Sequence, residues 1–168
     1  MNTAENGIWS GLLATGPMTL AMFALHNKLP NVEKSPLPPA TLTSQFTSLF
    51  GLDQKLSQNP RENLTMLSHF GYGAACGLLY AFGFKKLHPH SALLKGTLFG
   101  LGVWASSYMG WIPAFGLRAN AYQMPAKRNG LMILAHIIWG ASIGLAEFEM
   151  RRFGNQMLDG HRKASQAE

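Results

Sequence analysis

Four stretches of the chain, residues 6–27, 63–84, 96–117 and 129–146, contain no Lys, Arg, Asp or Glu. Each is about 18 to 22 residues long, close to the roughly 20 that a helix needs to cross a ~30 Å hydrocarbon layer. The pattern predicts membrane-length helices over about 7–25, 64–84, 96–117 and 130–148, and so an all-α integral membrane four-helix bundle in a single domain. The connector 26–63 is the long one. It opens with LPNVEKSPLPP, whose prolines cannot continue a helix. Within it, residues 40–52 place Leu42, Phe46, Leu49 and Phe50 at helical spacing, which predicts a short amphipathic helix lying at the interface or against the bundle. Residues 149–168 read as a polar C-terminal tail.

The chain also repeats itself. RENLTMLSHFGYGAACGL (61–78) aligns with RNGLMILAHIIWGASIGL (128–145), matching Arg61 with Arg128, Leu64 with Leu131, Leu67 with Leu134, and His69 with His136. Gly73 with Gly140, Ala74 with Ala141, Gly77 with Gly144, and Leu78 with Leu145 complete the set. Arg and His are scarce in this chain, so their coincidence carries more weight than that of the small residues. Gly7 and Gly11 correspond more weakly to Gly96 and Gly100. The predicted repeat unit is a helix hairpin. Two crossings return the chain to its starting side, so the two hairpins run parallel, related by an axis along the membrane normal. Each span carries GxxxG, at Gly7/Gly11, Gly73/Gly77, Gly96/Gly100 and Gly140/Gly144. Apolar surface gives little drive for helices to associate in lipid, so close approach at small residues is expected to hold the bundle. On this reading Gly→Leu overpacks the contact at Gly73 or Gly140, whereas Gly→Ala is mild.

Composition agrees with a membrane location. Charged residues make up 13% of the chain, against about 25% in an ordinary soluble domain. The net charge of +6 comes from basic residues flanking the apolar runs, which fits anchoring at a membrane edge and not nucleic-acid binding. Basic residues are evenly divided between the two sides, and the dense pairs Lys85-Lys86 and Arg151-Arg152 favour cytoplasmic termini. MNTAEN carries no Lys or Arg ahead of the first apolar run, so that run reads as a retained span and not a cleaved signal. The lone Cys76 excludes an intrachain disulfide. No motif of a known enzyme class appears, so no catalytic residue, enzymatic activity, metal site or cofactor is expected.

The residues that stand out chemically are His69 and His136. Each precedes its two glycines by four and eight residues and so shares the glycine face, pointing into the bundle at similar depth. Three uses compete. Each imidazole could hydrogen-bond a neighbouring helix as structural glue, the pair could pass protons or a small solute, or together they could hold haem or a metal. The structural use ranks first, making this an accessory membrane protein whose partners are the lipid bilayer and a second copy or another membrane protein. A transport role would need a polar cavity reaching the pair, and a solid apolar bundle at that level would favour the accessory role. Arg61 and Arg128 read as interfacial residues, and Glu147 as the partner of Arg151 at the span end.

The order of a GxxxG span, a proline-rich connector, HFGYGAACGLLY, GTLFGLGVW, a proline after the third span's aromatics, and HIIWGASIGLAE resembles small bacterial inner-membrane proteins of the YagU-like and related uncharacterised families. The resemblance covers most of residues 5–150. It implies a multi-pass protein of the bacterial inner membrane and supplies no reaction, cofactor or catalytic residue.

Overall fold

A computed structural model of the chain describes residues 2–34, 36–49, 58–84, 89–117 and 120–165, and the regular elements among them are all helical. Helix α1 spans Thr3–Asn27. It starts at a capping box in which the Asn2 side chain accepts from the Glu5 amide at 2.9 Å while the Glu5 carboxylate accepts from the Asn2 amide at 2.9 Å. Pro17 lies inside this continuous helix. A 3₁₀ turn, Asn31–Glu33, leads to α2 at Pro38–Leu49, followed by α3 at Gln58–Gly83 and α4 at Pro89–Ala105. Beyond Ala105 the helix widens into a π turn, Ser106–Trp111, and recovers α geometry for Ile112–Ala114, named α5. The last helix, α6, runs from Ala126 to Ser165.

These bounds shift several expectations. The third run does not continue as one helix to 117. It breaks at Ser106, and the irregularity precedes Pro113, because Gly110 adopts φ −109°, ψ −107°, outside the helical region. The segment closes with a Schellman turn in which Gly116 takes φ +66°, the Gly116 amide bonds the Pro113 carbonyl at 3.0 Å, and the Leu117 amide bonds Ile112 at 3.1 Å. The expected tail is helical as far as Ser165, since Ala146–Leu158 is rich in residues that favour helix. The short connector helix starts at Pro38, not at 40. Its expected end at 50–52, the pair Lys85-Lys86, Arg118 and residues 166–168 lie outside the described residues.

Among the described residues two helices are long and apolar enough to cross a membrane, Thr3–Asn27 and the Ala126–Gly154 portion of α6. Helix α4 falls short because the π turn ends it after 17 residues. Helix α3 is long enough, but its Ser68, His69, Tyr72 and Tyr80 lower its mean hydropathy.

Helix α1 packs along α3 and α6, and α6 packs along α4, whereas α3 and α4 share no comparable backbone seam. Glycine makes the α1–α3 and α4–α6 seams close. A Cβ added to Gly11 would overlap the Gly73 carbonyl oxygen, and one on Gly77 the Gly7 carbonyl oxygen. In the other seam a Cβ on Gly96 would strike the Gly140 carbonyl oxygen, one on Gly140 the Gly96 carbonyl oxygen, and one on Gly100 the His136 carbonyl oxygen. The obstacle is backbone, which cannot swing aside, so alanine is not mild at these positions, contrary to the sequence expectation. Gly73 differs, because the nearest atom its Cβ would meet is the Thr15 hydroxyl.

Hydroxyls inside the seams are satisfied within their own helix: Ser10 donates to the Gly7 carbonyl at 3.0 Å and Thr15 to the Gly11 carbonyl at 2.8 Å. The apolar interior is built from Met18, Met22, Cys76, Met132 and Ile143, with Tyr80, Phe84, Phe99 and Trp139 forming a ring cluster at 4.8–6.4 Å between centroids.

Candidate functional site

Where α3 and α4 lack a seam, a cavity of about 620 Å³ opens, and both His69 and His136 line it. His69 reaches it from α3 and His136 from α6. Thr15, Met18 and Met22 of α1 close one side. The π turn contributes Ser107, Tyr108 and Trp111: by inserting one residue per turn it displaces the following side chains from their α-helical directions. Helix α2 closes another side with Pro38, Leu42, Thr43 and Thr47, so the connector helix packs against α3 as a wall of the cavity. Of its predicted apolar face, Leu42 is the member described there. The side chains of Phe46, Leu49 and Phe50 lie outside the described set.

The two imidazoles are held differently. His136 is buried, and its Nδ1 lies 2.8 Å from the Met132 carbonyl oxygen one turn back in α6. A carbonyl only accepts, so Nδ1 carries the proton. The edge of Tyr108 meets the His136 ring at 5.9 Å and 90°, and the Tyr108 hydroxyl donates to the Met132 sulfur at 3.2 Å. His69 is half-buried, with the edge of Phe70 at 6.1 Å, and its Nε2 is shielded from solvent without a hydrogen-bond partner. Among the described residues neither ring makes a hydrogen bond to another helix.

A second polar contact crosses the open side: the Tyr72 hydroxyl and the Ser107 hydroxyl share a hydrogen bond at 3.2 Å, with the Tyr72 and Trp111 rings 6.3 Å apart. Other hydroxyls on the lining bond their own helices, as Ser68 does to the Leu64 carbonyl and Thr47 to the Ser44 carbonyl at 2.9 Å. Among the described residues no Asp, Glu, Lys or Arg lines the cavity, and no three metal-ligating side chains come together.

The remaining sequence candidates sit away from this centre. The eight glycines make the seams. Arg128, expected at an interface, is buried, and it donates to the Pro36 carbonyl at 2.5 Å, tying the proline-rich connector to the start of α6. Arg61, its counterpart in the repeat, is half-buried. Glu147 pairs with Arg151 at 2.5 Å with its side chain fully buried, and Arg151 also donates to the Ala81 carbonyl of α3 at 3.0 Å. The pair therefore bridges α6 and α3 inside the protein instead of lying at a span end.

Sequence reasoning missed the π turn and the connector wall. The signal for the first was SSYMGWIP, a polar and glycine-proline interruption inside an apolar run. For the second, the helical spacing within residues 40–52 predicts a helix at the interface or against the bundle, and α2 does pack on α3, but that it walls a cavity is a tertiary fact.

No curated protein and no solved structure matches the chain. A family model described as a protein of unknown function, DUF1440, matches residues 19–145, which span the cavity lining from Met22 to Trp139. The chain is a member of the DUF1440 family.

Proposed function

We propose that this protein is a multi-pass membrane protein, YagU-like, of the bacterial inner membrane, with both termini cytoplasmic. In this reading it acts as an accessory protein that binds a small lipid-soluble molecule between its helices. Four helices cross, α1, α3, α4 with its π turn, and α6, as two parallel hairpins derived from one duplication. Support for four crossings comes from the outward faces: Leu20 and Leu67 are each 71% exposed, Leu79 67% and Leu98 58%, one or more on each of α1, α3 and α4, with Leu145 outward on α6. Such leucines suit lipid, while the inward faces carry Ser10, Thr15, Ser107 and Glu147, a distribution opposite to that of a soluble bundle. Support for the duplication comes from the matching seams, in which Gly11 meets the Gly73 carbonyl as Gly96 meets the Gly140 carbonyl, one turn from the pairing of Gly11 with Gly100 read in the sequence.

The observation that carries the binding role is the shared cavity around His69 and His136. Interhelical glue would give each ring a partner on another helix, and His69 Nε2 has none. Passage of ions or polar solutes would call for charged or polar walls, and this wall carries no charged side chain among the described residues and presents chiefly apolar surface. No catalytic residue, metal or cofactor enters the reading. Photolabelling in intact membranes with a lipid-soluble diazirine tests it. Leu20, Leu67 and Leu98 should label from the bilayer, cavity residues such as Met22 and Trp111 should label as well, and Thr43→Trp should suppress the second set alone. Outward leucines protected from the probe would end the membrane reading, and unlabelled cavity residues would end the binding role.

A further inference from the structure

Resting on that reading, we infer that the molecule held in this cavity beside His136 is a neutral lipid alcohol: a largely apolar body with one hydroxyl head. Two observations converge on this class. First, among the described residues the lining holds no charged side chain, so an anionic head, whether carboxylate, phosphate or propionate, would be desolvated without a countercharge. Second, His136 commits its Nδ1–H to the Met132 carbonyl, which in the neutral ring makes Nε2 a hydrogen-bond acceptor. A group that only accepts, such as a ketone or quinone oxygen, meets that nitrogen lone pair to lone pair. A hydroxyl answers both observations, since it carries no charge and its O–H donates to His136 Nε2.

The rest of the cavity suits the rest of such a molecule. Trp111, Tyr108 and Trp139 offer flat apolar faces, and Met18, Met22 and Met132 offer unbranched side chains that adapt to an irregular hydrocarbon body. The volume of about 620 Å³ lies within the range of small-molecule sites. Helices α3 and α4 share no glycine seam, so a hydrocarbon passing between them would separate no close backbone contact.

The test uses the full chain in phosphatidylcholine nanodiscs, with radiolabelled farnesol as the probe and farnesyl methyl ether and palmitate as competitors. Farnesol should bind saturably, one per chain. The ether, which accepts but cannot donate, should compete about tenfold more weakly, the loss expected for one buried hydrogen bond. Palmitate should not compete. His136→Phe should bring alcohol and ether to the same affinity. Thr43→Trp fills the cavity from the connector wall and should abolish binding, and Met22→Trp does the same from α1 if Thr43→Trp does not fold, with helical content by circular dichroism as the check. Equal binding of alcohol and ether to the wild type, blocked by Thr43→Trp, would overturn the hydroxyl assignment and leave the binding cavity standing. Tighter binding of palmitate would overturn the argument from charge. No saturable binding of any of the three to folded protein would overturn both the assignment and the binding role.

Discussion

Along α4 and α6 each seam glycine faces backbone: Gly96 meets Gly140, Gly100 meets the His136 carbonyl, and Gly144 meets the Ala92 carbonyl. Along α1 and α3 the same contacts recur with Gly11 in the place of Gly96, except that Gly73 faces the Thr15 side chain and Gly7 the Ala81 methyl. The histidines follow the same division. His136 is braced by the Met132 carbonyl and the Tyr108 edge, whereas His69 Nε2 is buried without a partner. A shared backbone scaffold thus carries unlike side-chain chemistry on its two halves. The cavity forms where the looser half meets the helix broken by the π turn. Close glycine contacts fix the helices in place, and the residues one turn away are then free to differ.

The largest difference between the halves is electrostatic. Tyr80 and Glu147 each lie two residues beyond the aligned sequence segments, and both are fully buried, but the second is an acid that needs Arg151. Arg151→Met would strand that carboxylate and is expected to cost about 3–5 kcal/mol, whereas replacing Glu147 and Arg151 together by Met should recover most of the loss. Unfolding in mixed micelles titrated with SDS measures both. A single variant no less stable than the double would show that the pair contributes nothing in its buried setting.

The glycines rank next. Gly140→Ala drives a methyl into the Gly96 carbonyl and should cost about 2–3 kcal/mol, while Gly73→Ala meets a hydroxyl that can rotate and should cost about 1 kcal/mol. Adding Thr15→Ala to Gly73→Ala should relieve most of the smaller loss. Equal losses at the two glycines, in the same micelle titration, would remove the distinction between a backbone seam and one eased by a side chain.

Much of this architecture was legible because it is periodic. The uncharged runs located the long helices, and glycines four residues apart located their contact faces, since both properties depend on spacing along one helix. Two features were not legible. The π turn at Ser106–Trp111 lies inside an uncharged run that predicts one helix, and the polar, glycine and proline residues of SSYMGWIP do not tell that the break falls at Gly110, which leaves helical geometry. Arg128 looked like an interfacial cation because its chain neighbours Lys127 and Asn129 are polar, yet its guanidinium turns inward to the Pro36 carbonyl, 92 residues away in sequence. The histidine pair was visible as a pair, but the cavity between the rings was not, because it depends on α3 and α4 failing to close.

That arginine supplies the next contrast. Arg128 and Arg61 align in the sequence, but one is buried against the connector and the other half-buried. Arg128→Met should cost about 2 kcal/mol, the worth of a hydrogen bond from a charged donor, and Arg61→Met less than about 1 kcal/mol. Thiol labelling of Thr43→Cys should speed up in the Arg128→Met background if the tether holds α2 over the cavity. An unchanged labelling rate would mean that α2 is kept in place by its packing on α3 alone.

The smallest expected effect lies at the open side itself. The Tyr72–Ser107 hydrogen bond joins α3 to the π turn, where no glycine seam assists, and Tyr72 is 44% exposed, so its hydroxyl gains less than a buried one would. Tyr72→Phe and Ser107→Ala should each cost about 0.5–1.5 kcal/mol, and the double variant no more than either alone, because the two removals delete one interaction. Trp139, the repeat counterpart of Tyr72, is buried and packs on Phe99 at 5.9 Å, an apolar contact with no hydroxyl to lose. If the two losses add, each hydroxyl has its own partner and the bridge is not what spans the gap. If they do not add, this hydrogen bond links α3 to the broken helix at the level of the histidines, and weakening it should loosen that side of the cavity.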